Sequence, residues 1–475
     1  MQRARGGCMS CRRRKRKCDR RRPFCEACTQ RGIQCPGYST PLRWVDGAAN
    51  HSSAGEGSSN AASTPAESNT LASQIALPNR PSPQVQTTHV TDELFHKCMS
   101  QLRLFSGVTL TVLRTGLMSL YSTSVCSWVQ PFFVEMSAKS KSLVLLSSAI
   151  QAYLDEGSSD MSVSSMEYID TALKEFRREI VAHYDVMPAA TACSGALLCV
   201  LQFLQAQPCT LVIGLLAETF HLNAPMTYLN PNPEHDLSVR HALEFIGLMD
   251  MPCLVLGRKC PSLSIWRRFR QVQDSWKGGR VKALEVVTGV PHSLLDIFAD
   301  TPFETAEVSI SRFWGWPGEM GEYVQCLLWD CWRFAGMLHI RRREQRIIHT
   351  TRKDGQFVGD DQQDASPSSE IVLYRLVSGL HLFVVACQLP ENQHLLCRNG
   401  IVFPLITACL ETRLLKRHPD WKQTVDNVLS AAKKRYLFQL ARSTWDLLDE
   451  AWKDGTMGFD LDQAASRRGQ EVSLL

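Results

Sequence analysis

Six cysteines crowd into the first 35 residues: Cys8, Cys11, Cys18, Cys25, Cys28 and Cys35. Their spacing is C-x2-C-x6-C-x6-C-x2-C-x6-C, so the unit C-x2-C-x6-C occurs twice. A C-x2-C pair can present two thiolates to one metal from a single tight turn. Zinc takes four tetrahedral ligands, often all cysteine in a closed structural site. Each unit brings three sulfurs and closes no site alone. Two zinc ions need eight ligand contacts, which six thiolates meet only if two of them bridge. One zinc with two spare cysteines is the alternative, and it leaves the repeat without a reason.

Six consecutive basic residues, 12-RRRKRK-17, fill the gap between the second and third cysteines. Residues 1–45 hold 13 Lys/Arg against two acids, Asp19 and Glu26, while the whole chain has 52 basic and 47 acidic residues. A strongly basic arm therefore precedes a mildly acidic body, and such an arm calls for a polyanionic partner. Six thiolates carry about −6 and two zinc ions +4, so the cluster tolerates nearby cations. A short helix starting after the metal-bound pair would project these side chains from a rigid knob. DNA phosphates would attract most of them, and Arg or Lys can also donate to guanine O6 and N7 in the major groove. On this reading metal supplies the fold that so short a segment cannot build, and the charges bind duplex DNA. The run also suits a nuclear import signal, so the expected location is the nucleus.

The stretch 7-GCMSCRRRKRKCDRRRPFCEACTQRGIQCPGY-38 resembles the fungal Zn(II)2Cys6 binuclear zinc cluster transcription factors. The resemblance rests on the cysteine spacing, the basic run, Asp19 after the third cysteine, Pro23 in the loop, and Gly37-Tyr38 after the last cysteine. The segment 41-PLRW-44 is similar to a subgroup that includes regulators of arginine metabolism. The resemblance implies two short helices around two zinc ions, with Cys8 and Cys25 bridging. One zinc takes Cys8, Cys11, Cys18 and Cys25, and the other Cys8, Cys25, Cys28 and Cys35. It implies that Arg14 and Lys15, at the end of the first helix, read CGG-like triplets. Arg12, Arg13, Arg16, Lys17 and Arg31 then contact phosphate or lie in solvent. It also implies a regulator of RNA polymerase II transcription, with co-regulators or the transcription machinery as partners. Control of a metabolic or secondary-metabolite gene cluster is the family habit.

Other uses of six cysteines fit less well. A disulfide scaffold needs an oxidising compartment, and no apolar segment follows the basic N-terminus as a secretory leader requires. Zinc modules of the RING or LIM kind usually include His or eight ligands, and no His precedes His51. The alternative from another class is a zinc-dependent adaptor whose basic arm binds protein or RNA without duplex sequence specificity. An enzyme is not expected: there is no G-x-S-x-G, P-loop, HExxH or glycine fingerprint after a strand. Isolated groups such as His241, Asp250 and His339 read as core or surface residues. The twelve later cysteines, from Cys98 to Cys409, have no paired spacing and read as small buried hydrophobes. No run of 18 or more apolar residues suggests a membrane span, so no membrane partner is expected.

The chain then divides by composition. Residues 1–45 form the cluster module. Residues 46–90, rich in Gly, Ala, Ser, Asn and Thr and then in Pro, are expected to be a disordered tether. No sustained heptads follow, so a homodimer, if one forms, would use the body. Residues 91–462 are expected to be a large all-α helical array, with Thr91 as the first N-cap. In 165-SMEYIDTALKEFRREIVAHY-184, Ile169, Leu173, Phe176 and Ile180 make one apolar face. Further helices are expected near 139–154, 189–206, 237–249, 319–345, 370–388, 397–416 and 421–452, with loops at 221–236, 299–318 and 351–369. Order and content over roughly 94–455 resemble the fungal-specific transcription factor domain, chiefly at 244-EFIGLMDMPCLVLGRKCPSLSIWRRFR-270 and 313-FWGWPGE-319. That domain implies regulation and, in some members, effector sensing. A second basic run, 341-RRREQR-346, reads as a solvated helix end, with a second nucleic-acid contact as the lesser alternative. The stretch 445-WDLLDEAWKDGTMGFDLD-462 reads either as a last amphipathic helix or as an acidic-hydrophobic activation segment. Residues 463–475 are expected to be a tail.

Overall fold

The computed structural model describes residues 10–11, 14, 16–19, 25–31, 135–156, 163–182, 188–222, 237–285, 287–351, 367–392, 400–435, 439–455 and 459–474. The chain divides into two compact units, 1–88 and 89–475. The expected tether at 46–90 and the expected restart at Thr91 lie outside the described residues.

In the first unit the described residues hold a helical pair at 10–11 and the short helix α1, Glu26–Thr29. The Asp19 carboxylate accepts the Glu26 and Ala27 N–H groups at 3.0 and 3.2 Å. These are orphan donors at the helix start, and an acid there satisfies them while matching the dipole.

The second unit is mostly helical. Its described part begins with a helical stretch at 135–139, and then α2, Lys141–Glu156, and α3, Val163–Ala182, pack on each other. The helix expected from Ile169, Leu173, Phe176 and Ile180 is α3, with Phe176 and Ile180 buried. Next is α4, Ala189–Leu204, apolar all round and buried on nearly every face against α2, α3 and α5, Thr210–Thr219. Helix α6, Leu237–Met249, has the expected bounds. It crosses α7, Ile265–Asp274, closely: a Cβ on Gly247 would lie 2.9 Å from the Trp266 backbone nitrogen. A two-residue strand β1, Val255–Leu256, lies between them.

Helices α8, His292–Asp300, and α9, Ala306–Gly315, then lead to the long α10, Tyr323–Thr351. The loop expected over 299–318 is corrected here, because α9 occupies its centre. Thr305 caps α9 by accepting from the Val308 N–H, and Glu307 sits in its first turn. Where α9 meets α10, a Cβ on Gly336 would come within 2.7 Å of the Phe313 ring. Helix α11, Ser369–Gln388, starts at the Ser368 cap. It is long and apolar enough to cross a membrane, yet it packs on α10 and carries Leu373, Leu376, Leu380 and Phe383 buried in the body.

The helix expected over 397–416 breaks at Glu411 into α12, Val402–Leu410, and α13, Thr412–Arg417. The one expected over 421–452 is two, α14, Pro419–Arg435, and α15, Gln439–Asp454. The aromatic centre lies among α8, α9, α10 and α12: Phe298 packs edge-on to Phe313, Trp332 and Phe403 with centroids 4.7, 5.7 and 5.5 Å away.

The C-terminal stretch is part of this core, which corrects the expected tail at 463–475. Trp445, Leu447 and Leu448 of α15 are buried, so this stretch is the amphipathic helix of the two readings. Helix α16, Leu461–Arg467, follows, and β2, Val472–Ser473, pairs antiparallel with β1, Val255 opposite Ser473. The buried Glu471 carboxylate accepts from the Thr210 N–H at 2.9 Å, the Thr210 hydroxyl, and the Lys259 N–H at 2.6 Å.

Candidate zinc centre and nucleic-acid interface

Metal ligation needs thiols close enough to share an ion. Cys11 is the second residue of the helical pair at 10–11, Cys25 holds the N-cap position of α1 without a side-chain cap bond, and Cys28 sits within the helix. All three are buried, at 1%, 0% and 0% exposure. The Cys11 Sγ is 3.7 Å from the Cys25 Sγ and 3.8 Å from the Cys28 Sγ. A tetrahedron with Zn–S near 2.3 Å has edges of about 3.8 Å. Cys11 and Cys25 are thus spaced as thiolates sharing a tetrahedral ion, and the donor set fits zinc. The 3.8 Å approach joins Cys11 and Cys28, which the resemblance allots to different metals, and both flank Cys25, its expected bridge. Cys18, Asp19 and Cys25 also converge within ligating distance. The Asp19 oxygens serve the α1 N–H groups, however, so its role is that of a cap. Cys8 and Cys35 lie outside the described residues.

The basic side chains divide by exposure. Arg16, Lys17 and Arg31 are exposed. Arg14 is half-buried, and its guanidinium turns inward. Its Nε donates to the Ser10 carbonyl and its Nη2 to the Cys28 Sγ, both at 3.2 Å. Arg12, Arg13 and Lys15 lie outside the described residues. The Asp19 cap and the Arg14 pose were not assigned from the sequence. The 17-residue repeat offers a signal for the first, because a second knuckle helix needs its own N-cap.

Residues 6–45 match the fungal Zn(2)-Cys(6) binuclear cluster domain. The module accordingly holds two zinc ions, and its described cysteines are grouped for metal binding. A stretch of 38 residues is 50% identical to Arginine metabolism regulation protein II of Saccharomyces cerevisiae (strain ATCC 204508 / S288c). It covers 8% of this chain and 4% of that relative, so the likeness is confined to a small part of each protein. No solved structure matches the chain.

The groups singled out in the body are built into its interior. The buried Asp250 carboxylate accepts from Arg258 Nη2 at 3.0 Å, Ser262 Oγ at 3.0 Å and the Leu263 and Ile265 N–H groups. It thereby closes the 258–265 loop and starts α7. Burial lowers the His241 and His339 pKa values to about 4, so both imidazoles are neutral at pH 7. The run at 341–346 is tied to the body as well, and this corrects its reading as a solvated helix end. Arg341 donates to the Pro367 carbonyl, Arg342 to Leu410 and Phe459, and Arg343 to Thr301, while Arg346 pairs with Asp460 at 2.7 Å. Body cysteines such as Cys193 and Cys253 are buried thiols whose pKa burial pushes up to about 12.

Proposed function

We propose that the protein is a nuclear, sequence-specific DNA-binding transcription factor of RNA polymerase II genes, and not an enzyme. The observation that carries this reading is the match of residues 6–45 to the binuclear cluster domain, with buried thiols at tetrahedral spacing beside exposed Arg16, Lys17 and Arg31. Cys8, Cys11, Cys18, Cys25, Cys28 and Cys35 hold the two zinc ions, with Cys8 and Cys25 bridging. Bound zinc supplies the folding free energy of the module and no chemistry. Arg12, Arg13, Arg16, Lys17 and Arg31 neutralise phosphates and fix the register on the duplex. The resemblance gives base reading of a CGG-like triplet to Arg14 and Lys15. Because the Arg14 guanidinium is engaged with Ser10 and Cys28, Lys15 is the member of that pair we assign to base edges. The body resembles a fungal-specific transcription factor domain and would regulate or recruit co-regulators. A second copy would be recruited through the body. Similarity to a regulator of arginine metabolism favours a metabolic target.

The test is selection of sites from randomised duplexes by zinc-loaded full-length protein, with Cys11→Ala as control. One enriched triplet, lost in the control, supports a monomeric reader, and two at fixed spacing support a dimer. Lys15→Ala should cost roughly 1–3 kcal/mol and relax one position. No enrichment at moderate salt overturns the reading in favour of an adaptor that binds acidic protein or RNA.

A further inference from the structure

The cysteine repeat has a period of 17 residues and gives every residue of the first half a counterpart in the second. Arg14 follows Cys11 by three, and Arg31 follows Cys28 by three. Sequence alone treats them alike, but their surroundings differ. Arg31 is exposed, and its backbone N–H closes a turn on the Cys28 carbonyl at 3.1 Å. Arg14 is half-buried and reaches across the repeat. Its Nε donates to Ser10 in its own half, and its Nη2 donates to the Cys28 sulfur in the other.

That sulfur is wholly buried and lies 3.8 Å from the Cys11 Sγ, so the guanidinium sits against a ligand of the cluster. A zinc-bound thiolate keeps part of its negative charge. An N–H donor from outside the coordination shell stabilises that charge and fixes the sulfur's direction. Arginine suits this position because Nε and an Nη project from one edge of a rigid plane and can serve a carbonyl and a sulfur together. Lysine offers one flexible point charge. With this edge engaged, the guanidinium cannot present it to guanine O6 and N7 without releasing the cluster.

We infer that Arg14 is a positioning residue of the zinc cluster: its guanidinium clamps the Ser10 carbonyl to the Cys28 thiolate, joins the two halves of the repeat and slows metal loss. The corollary, that Lys15 reads the base without Arg14, rests on the DNA-binding reading; the clamp does not.

The experiment uses zinc-loaded full-length protein as wild type, Arg14→Lys, Arg14→Gln and the repeat-equivalent control Arg31→Lys. Zinc release to a chromogenic chelator is timed, and cobalt titration of the metal-free forms gives affinity even for a variant that purifies without zinc. The expected result is release about 10-fold faster, or cobalt binding about 10-fold weaker, in both Arg14 variants and unchanged in Arg31→Lys. The thiolate-to-cobalt charge-transfer band should move to longer wavelength in the Arg14 variants, because the lost hydrogen bond raises the sulfur lone pair. Site selection with Arg14→Lys should return the wild-type triplet. Unchanged release, affinity and band position in both Arg14 variants overturns the clamp, whatever the DNA result. A changed triplet with unchanged metal retention makes Arg14 a base reader instead. If wild type selects no triplet, the DNA reading falls while the metal measurements still decide the clamp.

Discussion

The runs 12-RRRKRK-17 and 341-RRREQR-346 each hold four arginines, and their described members are placed differently. Those at 341–346 lie on α10, which passes the ends of several other segments. Leu410 is the last residue of α12 and Thr301 follows α8, so their carbonyls are among those that a helix end leaves without an intrahelical partner. Arg342 and Arg343 donate to them and set positive charge at the negative end of each dipole. Arg342 is only 6% exposed. In the zinc module the described members Arg16 and Lys17 face solvent. Arg14 turns inward, toward a sulfur. The difference teaches that a basic run acquires its role from the acceptors around it. Where helix ends converge, arginine is an internal cap. Where a buried sulfur is near, as for Arg14, the arginine serves it, while Arg16 and Lys17 stay exposed to solvent.

The largest effect should separate the two units by what folds them. A strong chelator applied to the full-length protein should abolish DNA binding, because ligation energy is the module's folding energy. The main thermal transition, which belongs to the body, should stay within about 2 °C of its original midpoint. A larger shift would mean that the body also depends on metal, and the contrast between metal-built and core-built units would fail. Next in size is the arginine contrast itself. Arg342→Ala strips the Leu410 and Phe459 carbonyls of a buried donor and should destabilise the body by about 3 kcal/mol, read as a lower denaturant midpoint. DNA affinity per folded molecule should not change. A stable Arg342→Ala body with weakened DNA binding would make the second run a nucleic-acid contact after all.

How much of this could be read from the sequence follows from how local each feature is. The zinc-binding module was legible because a C-x2-C spacing is local and ligand number is discrete. Helices such as Leu237–Met249 and Val163–Ala182 were legible because a period near 3.6 persists for several turns. The helix Ala306–Gly315 was hidden by its Pro- and Gly-containing flanks, although the Thr305 cap was a usable signal. The break at Glu411 is a single backbone departure, φ −78 and ψ 50, inside an otherwise continuous pattern. The C-terminal stretch was misread because its partners are remote: Glu471 binds Thr210, 261 residues away. The inward turn of Arg14 likewise depends on Cys28, which a scan of the basic run alone does not reach.

The smallest effect tests whether the body's arginines stand among charges held at a cost. Glu411 is buried next to Arg342, and its pKa is raised to about 7, mainly by burial, with Arg342 and Arg341 opposing the rise. The unfolded chain ionises this carboxyl near its ordinary value of 4.5. Between that value and about 7 the folded state therefore binds more protons than the unfolded state, and stability falls as pH rises. The contribution is fully present below pH 4.5 and is lost once the pH passes the folded value, a loss of roughly 3 kcal/mol for this one group. Urea midpoints of Glu411→Gln at pH 5 and pH 8 should therefore lie closer together than those of wild type. Gln keeps the size and removes the charge, so the flattening reports ionisation and not packing. An unchanged wild-type slope in the variant would mean that Arg342 and Arg341 keep Glu411 ionised throughout. The second basic run would then act as an internal counter-ion as well as a cap, and its difference from the first would be greater still.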